Sequence, residues 1–140
     1  MIRGYIDAGR PYVSCLLFIP RLSAGGQIDF LVDTGSDRTV IHPGDAARLG
    51  IEEEAFAGQA QTTAVGVGGT AREYIEAAFI LLRHQDGRMD NILVRLSFAV
   101  PTPDNALYPS VLGRDLISYY GLVFEQRAGL VTLEDAAQQA

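Results

Sequence analysis

Apolar and polar positions along the chain change places over short runs, and glycine or proline closes most of them. That rhythm belongs to strands and turns rather than to a helical bundle. Tyr12 to Ile19 is apolar and rich in β-formers, and Pro20 ends it. Ala24-Gly25-Gly26 is a turn signal. Gln27 to Val32 predicts a second strand and Thr39 to Ile41 a short third one. Pro43 to Leu49 predicts a short helix, with Pro43 in its first turn and Gly50 just past its end. The segment 52–59, EEEAFAGQ, is expected as a polar loop whose three glutamates form a solvated turn.

The middle of the chain is ambiguous. Ala60 to Val65 alternates and runs into a glycine-rich stretch. After it, Tyr74, Ile75, Ala78, Phe79 and Leu82 recur at helical spacing, so periodicity leaves 71–82 as strand or helix. Asp86-Gly87 between two apolar runs predicts a hairpin, with His84 as an exposed residue on it. Asn91 to Val100 follows as a strand, broken by Pro101 and Pro103. A helix is expected from Arg114 to Tyr120, closed by Gly121, and then a final hairpin of Leu122–Phe124 and Leu130–Leu133 around Gly129. Residues 134–140 are expected to fray. The pattern predicts one mainly β domain over 1–140, its core in about 10–134, with one or two short helices.

Composition narrows the function. The chain has 140 residues, 48% hydrophobic and 20% charged, enough for one core. A net charge of −6 with no basic run argues against nucleic acid as a partner. No apolar run is long enough to span a membrane, and the N-terminal residues lack a signal-peptide layout. The single cysteine, Cys15, sits among apolar neighbours and is expected as a buried thiol. With the absent signals it points to the cytoplasm.

Candidate chemistry concentrates in FLVDTGSD, Phe30 to Asp37. An apolar strand there runs directly into a carboxylate, which is costly to bury unless it is paired or hydrogen-bonded. Gly35 permits a close backbone approach, and Thr34 and Ser36 bring hydroxyls able to hydrogen-bond a carboxylate. The result is a plausible general base. Peptide hydrolysis is served better by two carboxylates that share a proton, because close like charges split their pKa values. The chain carries DTG once, so a second carboxylate has to come from a second copy.

FLVDTGSDRTVI together with SVLGRDLI, whose Gly113 lies about eighty residues downstream of Asp33, resembles the retropepsin-type aspartic proteases, as a single-domain member of bacterial or cellular type. The resemblance implies an all-β, closed acid-protease barrel active as a homodimer on a peptide or protein substrate, with no cofactor and no metal. It implies that Asp33 is the catalytic carboxylate and that Thr34 hydrogen-bonds across the twofold axis. Gly35 would lie beneath the substrate and Ser36 would donate to Asp33. Ser36 and Asp37 would contact substrate, and Asp37 would pair with Arg114. Arg114 and Asp115 would support the catalytic loop. Val65, Gly66, Val67, Gly68 and Gly69 would form a flap over the substrate, which makes 71–82 a strand. A hydroxyl donating to the ionised Asp33 favours acidic to mildly acidic activity. The alternative on the same fold is a weakly active or inactive dimeric module that binds peptides.

Other patterns are weaker. Gly66 to Ala71 fits the G-x-G-x-x-A of a dinucleotide loop, but its lead-in is polar and a hairpin follows where a parallel strand is needed. A calcium loop at Asp33, Gly35 and Asp37 fails, because Arg38 stands where glycine is required. His42 and His84 have no zinc-ligand spacing, and His42 is expected as a capping or surface residue.

Overall fold

The structure, a computed structural model, describes residues 1–66 and 69–136. The strands are β1 (Ile2–Arg3), β2 (Tyr5–Asp7), β3 (Arg10–Ile19), β4 (Ala24–Val32), β5 (Val40–Ile41), β6 (Gln61–Gly66), β7 (Gly69–Arg83), β8 (Met89–Ala99), β9 (Val111–Leu112), β10 (Tyr120–Glu125) and β11 (Leu130–Asp135). The helices are α1 (Pro43–Arg48) and α2 (Arg114–Ile117).

The main sheet runs β2-β3-β4-β9-β5-β8-β7-β6, and β3 also pairs with β7. That extra pairing joins β3-β4-β9-β5-β8-β7 into a ring, so the sheet closes as a barrel. Inward side chains alternate along the strands: Val13, Cys15, Leu17 and Ile19 on β3, Ile28, Phe30 and Val32 on β4, Ala78, Ile80 and Leu82 on β7. They fill one core with Leu96, Phe98, Leu112 and Leu116. Burial pushes the Cys15 thiol pKa up and leaves it a packing group. A second sheet, β1-β11-β10, carries the terminal strands.

Residues 71–82 are strand: β7 pairs with β8 from Glu73↔Ala99 to Arg83↔Met89. The helical spacing misled because the outward positions Ile75, Phe79 and Leu81 are apolar too, which creates i,i+4 coincidences on a two-residue period. The turn expected at Ala24-Gly25-Gly26 falls earlier, in a 3-10 turn over Pro20–Leu22 with Ser23 left-handed. Gly25 lies inside β4, where a Cβ would meet the Leu17 carbonyl oxygen at 2.0 Å. Here glycine allows two strands to approach rather than the chain to turn.

Three more expectations change. The loop at 52–59 contains a 3-10 turn, Glu53–Phe56, anchored by buried Phe56, which stacks on Tyr74 with ring centroids 4.9 Å apart. The helix expected through Tyr120 ends at Ile117, because Tyr120 enters β10 opposite Asp135. Glu134 and Asp135, expected to fray, belong to β11. The Asp86-Gly87 hairpin forms as expected, with Arg88 N–H donating to Asp86 Oδ1 at 2.9 Å.

His84 is not exposed. It is 1% accessible, and its Nε2–H donates to Asp90 Oδ2 at 2.8 Å while its Nδ1 accepts from Arg88 at 3.1 Å. Arg88 continues to Asp135 on β11, so this cluster ties the hairpin to the terminal sheet.

Candidate active site

β4 delivers Asp33. Its last residues run parallel to β9, with Leu31 opposite Val111 and Val32 opposite Leu112. β9 lies between β4 and β5, so the segment 33–39 leaves the barrel on one side of β9 and returns on the other. The Asp33 N–H donates to the Leu112 carbonyl at 3.0 Å, which fixes where the strand ends. Asp33 itself is half-buried, while Thr34 and Gly35 are exposed. A carboxylate at this point keeps access to solvent while its backbone is held by the barrel.

The Gly35 N–H donates to Asp33 Oδ1 at 2.9 Å. The Ser36 hydroxyl points elsewhere and donates to the Arg38 carbonyl at 2.7 Å. The donor expected of Ser36 is therefore supplied by the backbone of Gly35. Acidic activity argued from Ser36 loses its donor.

Asp37 and Arg114 form the expected ion pair, and Arg114 also donates to the Thr34 carbonyl at 3.0 Å. Their side chains are 55% and 81% exposed for Arg114 and Asp37, so the pair itself is worth only about 0–1 kcal/mol. Backbone bonds do more. The Arg114 N–H donates to the Ser36 carbonyl at 2.8 Å, and the Asp115 N–H to the Asp37 carbonyl at 3.3 Å.

The strongest tie lies deeper. Thr39 is fully buried. Its hydroxyl donates to Asp115 Oδ1 at 2.7 Å, its N–H donates to Asp115 Oδ2 at 3.0 Å, and its Oγ1 accepts from the Gly113 N–H at 3.1 Å. One threonine thus clamps the far end of the catalytic-type loop to the start of α2. A Cβ on Gly113 would lie 2.4 Å from the Arg38 carbonyl carbon and oxygen. Gly113 is therefore required for the two segments to cross.

β6 pairs with β7 from Gln61↔Tyr74 to Gly66↔Gly69 and forms a hairpin on the edge of the main sheet. Val65 is 84% exposed, and Gly66 and Gly69 face each other with Gly69 at φ +116°. Val67 and Gly68 lie outside the described residues. Antiparallel pairing through Thr70 and Ala71 makes this a hairpin, so the segment has no strand-to-helix turn of the dinucleotide type. No group of three or more His, Cys, Asp or Glu able to hold a metal occurs among the described residues.

A family model described as aspartyl protease matches residues 21–116, a span that holds both the Asp33 loop and the Gly113-Arg114-Asp115 crossing. The chain belongs to the aspartyl protease family. The retropepsin-like aspartic protease from Rickettsia conorii has a similar solved structure, with 19% sequence identity, TM-score 0.61, and coverage of 94% of this chain and 95% of that one. The protease fold here is thus retropepsin-like. No curated protein matches the chain by sequence.

Two groups around the Asp33 loop escaped the sequence reading. Thr39 looked only like the first residue of a short strand; its one signal was a hydroxyl opening a buried run. The second is the 101–110 loop that feeds β9, folded by Thr102 and Asn105, each donating its N–H to the other's side chain at 2.9 and 3.2 Å. It presents Leu107, 96% exposed, and Tyr108 to solvent. His42 holds this loop to α1 by donating from Nδ1 to the Pro109 carbonyl at 2.7 Å, and burial lowers its pKa.

Among the described residues, no helix is long and apolar enough to cross a membrane.

Proposed function

We propose that this protein is an aspartic endopeptidase, active as a homodimer in which two Asp33 carboxylates activate one water. The observation that carries the proposal is the placement of Asp33. It is a half-buried carboxylate on an exposed loop, held at its base by β9 and fed a hydrogen bond by the Gly35 N–H. Thr34 and Gly35 are exposed on that loop, open to a second copy. Brought together, two such carboxylates share one proton. The ionised member takes a proton from water as it attacks the peptide carbonyl. The protonated member hydrogen-bonds the carbonyl oxygen and then supplies the proton to the leaving amine. No covalent intermediate and no metal take part.

The β6–β7 hairpin, with Val65, Gly66 and Gly69, closes over the substrate. Ser36 and Asp37 contact the substrate backbone. Leu107 and Tyr108 offer apolar surface to its side chains. Arg114 and Asp115 hold the loop in position.

The test is digestion of an unfolded polypeptide, from acidic to neutral pH, by the parent and by Asp33→Asn. Cleavage by the parent alone is expected. Equal cleavage by both refutes the role of Asp33. No cleavage by a folded dimeric parent favours the peptide-binding module instead.

A further inference from the structure

The outward face of the barrel beside β3 carries a cluster of large apolar side chains. Phe18 pairs with Phe79 and Phe79 with Leu93, in one row across three strands. Leu16 pairs with Leu81 in the next row. Leu16, Phe18 and Leu93 are 46%, 45% and 62% exposed, and Met89 on β8 is exposed on the same face. The opposite faces of these strands already fill the core, so β3 and β7 are apolar on both sides. That is the pattern of a sheet covered twice.

We propose that this face is an interface between two copies of the chain, stacked about a twofold axis that runs along β3. Four strands, β4 to β8 through β3 and β7, span about 19 Å, and four outward positions along each span about 25 Å. The footprint is roughly 500 Å² per copy, or roughly 1,000 Å² over the pair, the lower bound for a specific interface. Per copy it lies in the upper part of the range of the largest apolar patch on a typical monomer, about 300–600 Å².

Shape and charge select a second copy as the occupant. An axis along β3 lays β4 of one chain over β7 of the other. Phe79 then faces Gly25, which pairs with Phe18 and has no side chain to obstruct it. Asp29, also outward on β4, faces Arg83, two residues beyond Leu81 on β7. Asp29 is held in place by Ser14, Tyr5 and Gln27, which donate to it at 2.6, 2.8 and 3.2 Å. Burial works to raise its pKa, but these donors and the charge of Arg48 outweigh that and lower it, so the acid is ionised. Phe18 and Leu16 lie on the axis and meet their own counterparts. None of these residues belongs to the Asp33 loop or to the part of β7, Gly69–Tyr74, that pairs with β6. This association is therefore compatible with the proposed catalytic dimer and does not depend on it.

Sedimentation of the intact chain over a concentration series tests the proposal. The expected result is a reversible doubling of mass over the species that Phe18→Lys forms at the same concentration, with Phe18→Lys still folded by circular dichroism. Arg83→Asp, at an exposed position, should raise the half-association concentration about tenfold. Adding Asp29→Lys to Arg83→Asp should bring it back to about the parent value. A parent whose mass at every concentration up to the solubility limit equals that of both Phe18→Lys and Arg83→Asp overturns the proposal, whether or not all three form the catalytic dimer. Phosphatidylcholine vesicles that capture the parent but not Phe18→Lys, with no doubling of mass, would assign the face to lipid instead.

Discussion

Thr39→Val removes one oxygen from a fully buried site and keeps the branched shape that β5 needs. Two bonds disappear: the donation to Asp115 Oδ1 and the acceptance from the Gly113 N–H. Asp115 keeps its bonds from the Thr39 N–H at 3.0 Å and the Leu116 N–H at 2.9 Å, so its charge is not orphaned. The Gly113 N–H is left buried without this acceptor, which costs about 1–3 kcal/mol, and the bond lost to a charged acceptor is worth about 1.5–3 kcal/mol. The two are parts of one network and do not add in full, so the expected loss is about 3 kcal/mol. Against a total stability of about 5–15 kcal/mol this is large. Urea unfolding followed by circular dichroism at fixed protein concentration reads it. With a slope of about 2 kcal/mol per molar, the midpoint should fall by about 1.5 M without a change in slope. Asp37→Asn, which breaks the exposed pair with Arg114, should cost at most about 1 kcal/mol. If Asp37→Asn proves more damaging than Thr39→Val, the loop is held from its surface and the argument fails.

Gly113→Ala forces a Cβ to 2.4 Å from the Arg38 backbone, so the two segments must separate. It should cost about 3 kcal/mol and reduce cleavage more than any exposed change in α2 does, as measured by urea titration beside the digestion assay. Burial raises the pKa of Glu73, against the charge of Arg38. A raised carboxylate pKa means that stability is greatest below the ordinary glutamate value and falls as pH rises through the folded one. Glu73→Gln should therefore stabilise the protein at neutral pH and lose that advantage near about pH 4, and a constant difference would sink the assignment. Burial works to raise the pKa of Asp90, but Tyr120 at 2.6 Å and His84 outweigh it and lower it. That contribution is present above the ordinary aspartate value and lost as pH falls through the lowered one. Tyr120→Phe should cost about 1–2 kcal/mol at neutral pH and less in acid, in paired unfolding curves at the two pH values.

Local residue order was enough for most strands and for the Asp33 loop. Pro20 and Gly50 end elements wherever the chain folds, because their backbone preferences are local. The Asp86-Gly87 hairpin is legible for the same reason. Asp33, Asp37 and Arg114 could be read because an apolar run, a DTG and a distant Gly-Arg-Asp are unusual together. Where one period serves two environments, local order fails. β7 carries apolar side chains inside and outside, so its helical coincidences and its true alternation had equal support. His84 looked exposed because the hairpin around it is polar; Arg88 and Asp90 fold onto it across the same hairpin, and only β11, through Asp135, comes from elsewhere.

The sequence by itself determined that the chain is mainly β and that a strand ends on the carboxylate of a DTG motif, because strand periodicity, turn chemistry and the motif are written in neighbouring residues. Only the tertiary structure decided that β9 threads between β4 and β5, that Ser36 turns from Asp33 to the Arg38 carbonyl, and that Thr39 clamps Gly113 and Asp115. Those facts depend on which distant backbone groups arrive beside a side chain. A hydroxyl bonds whatever donor or acceptor the fold brings within about 3 Å, and residue order alone does not state that distance.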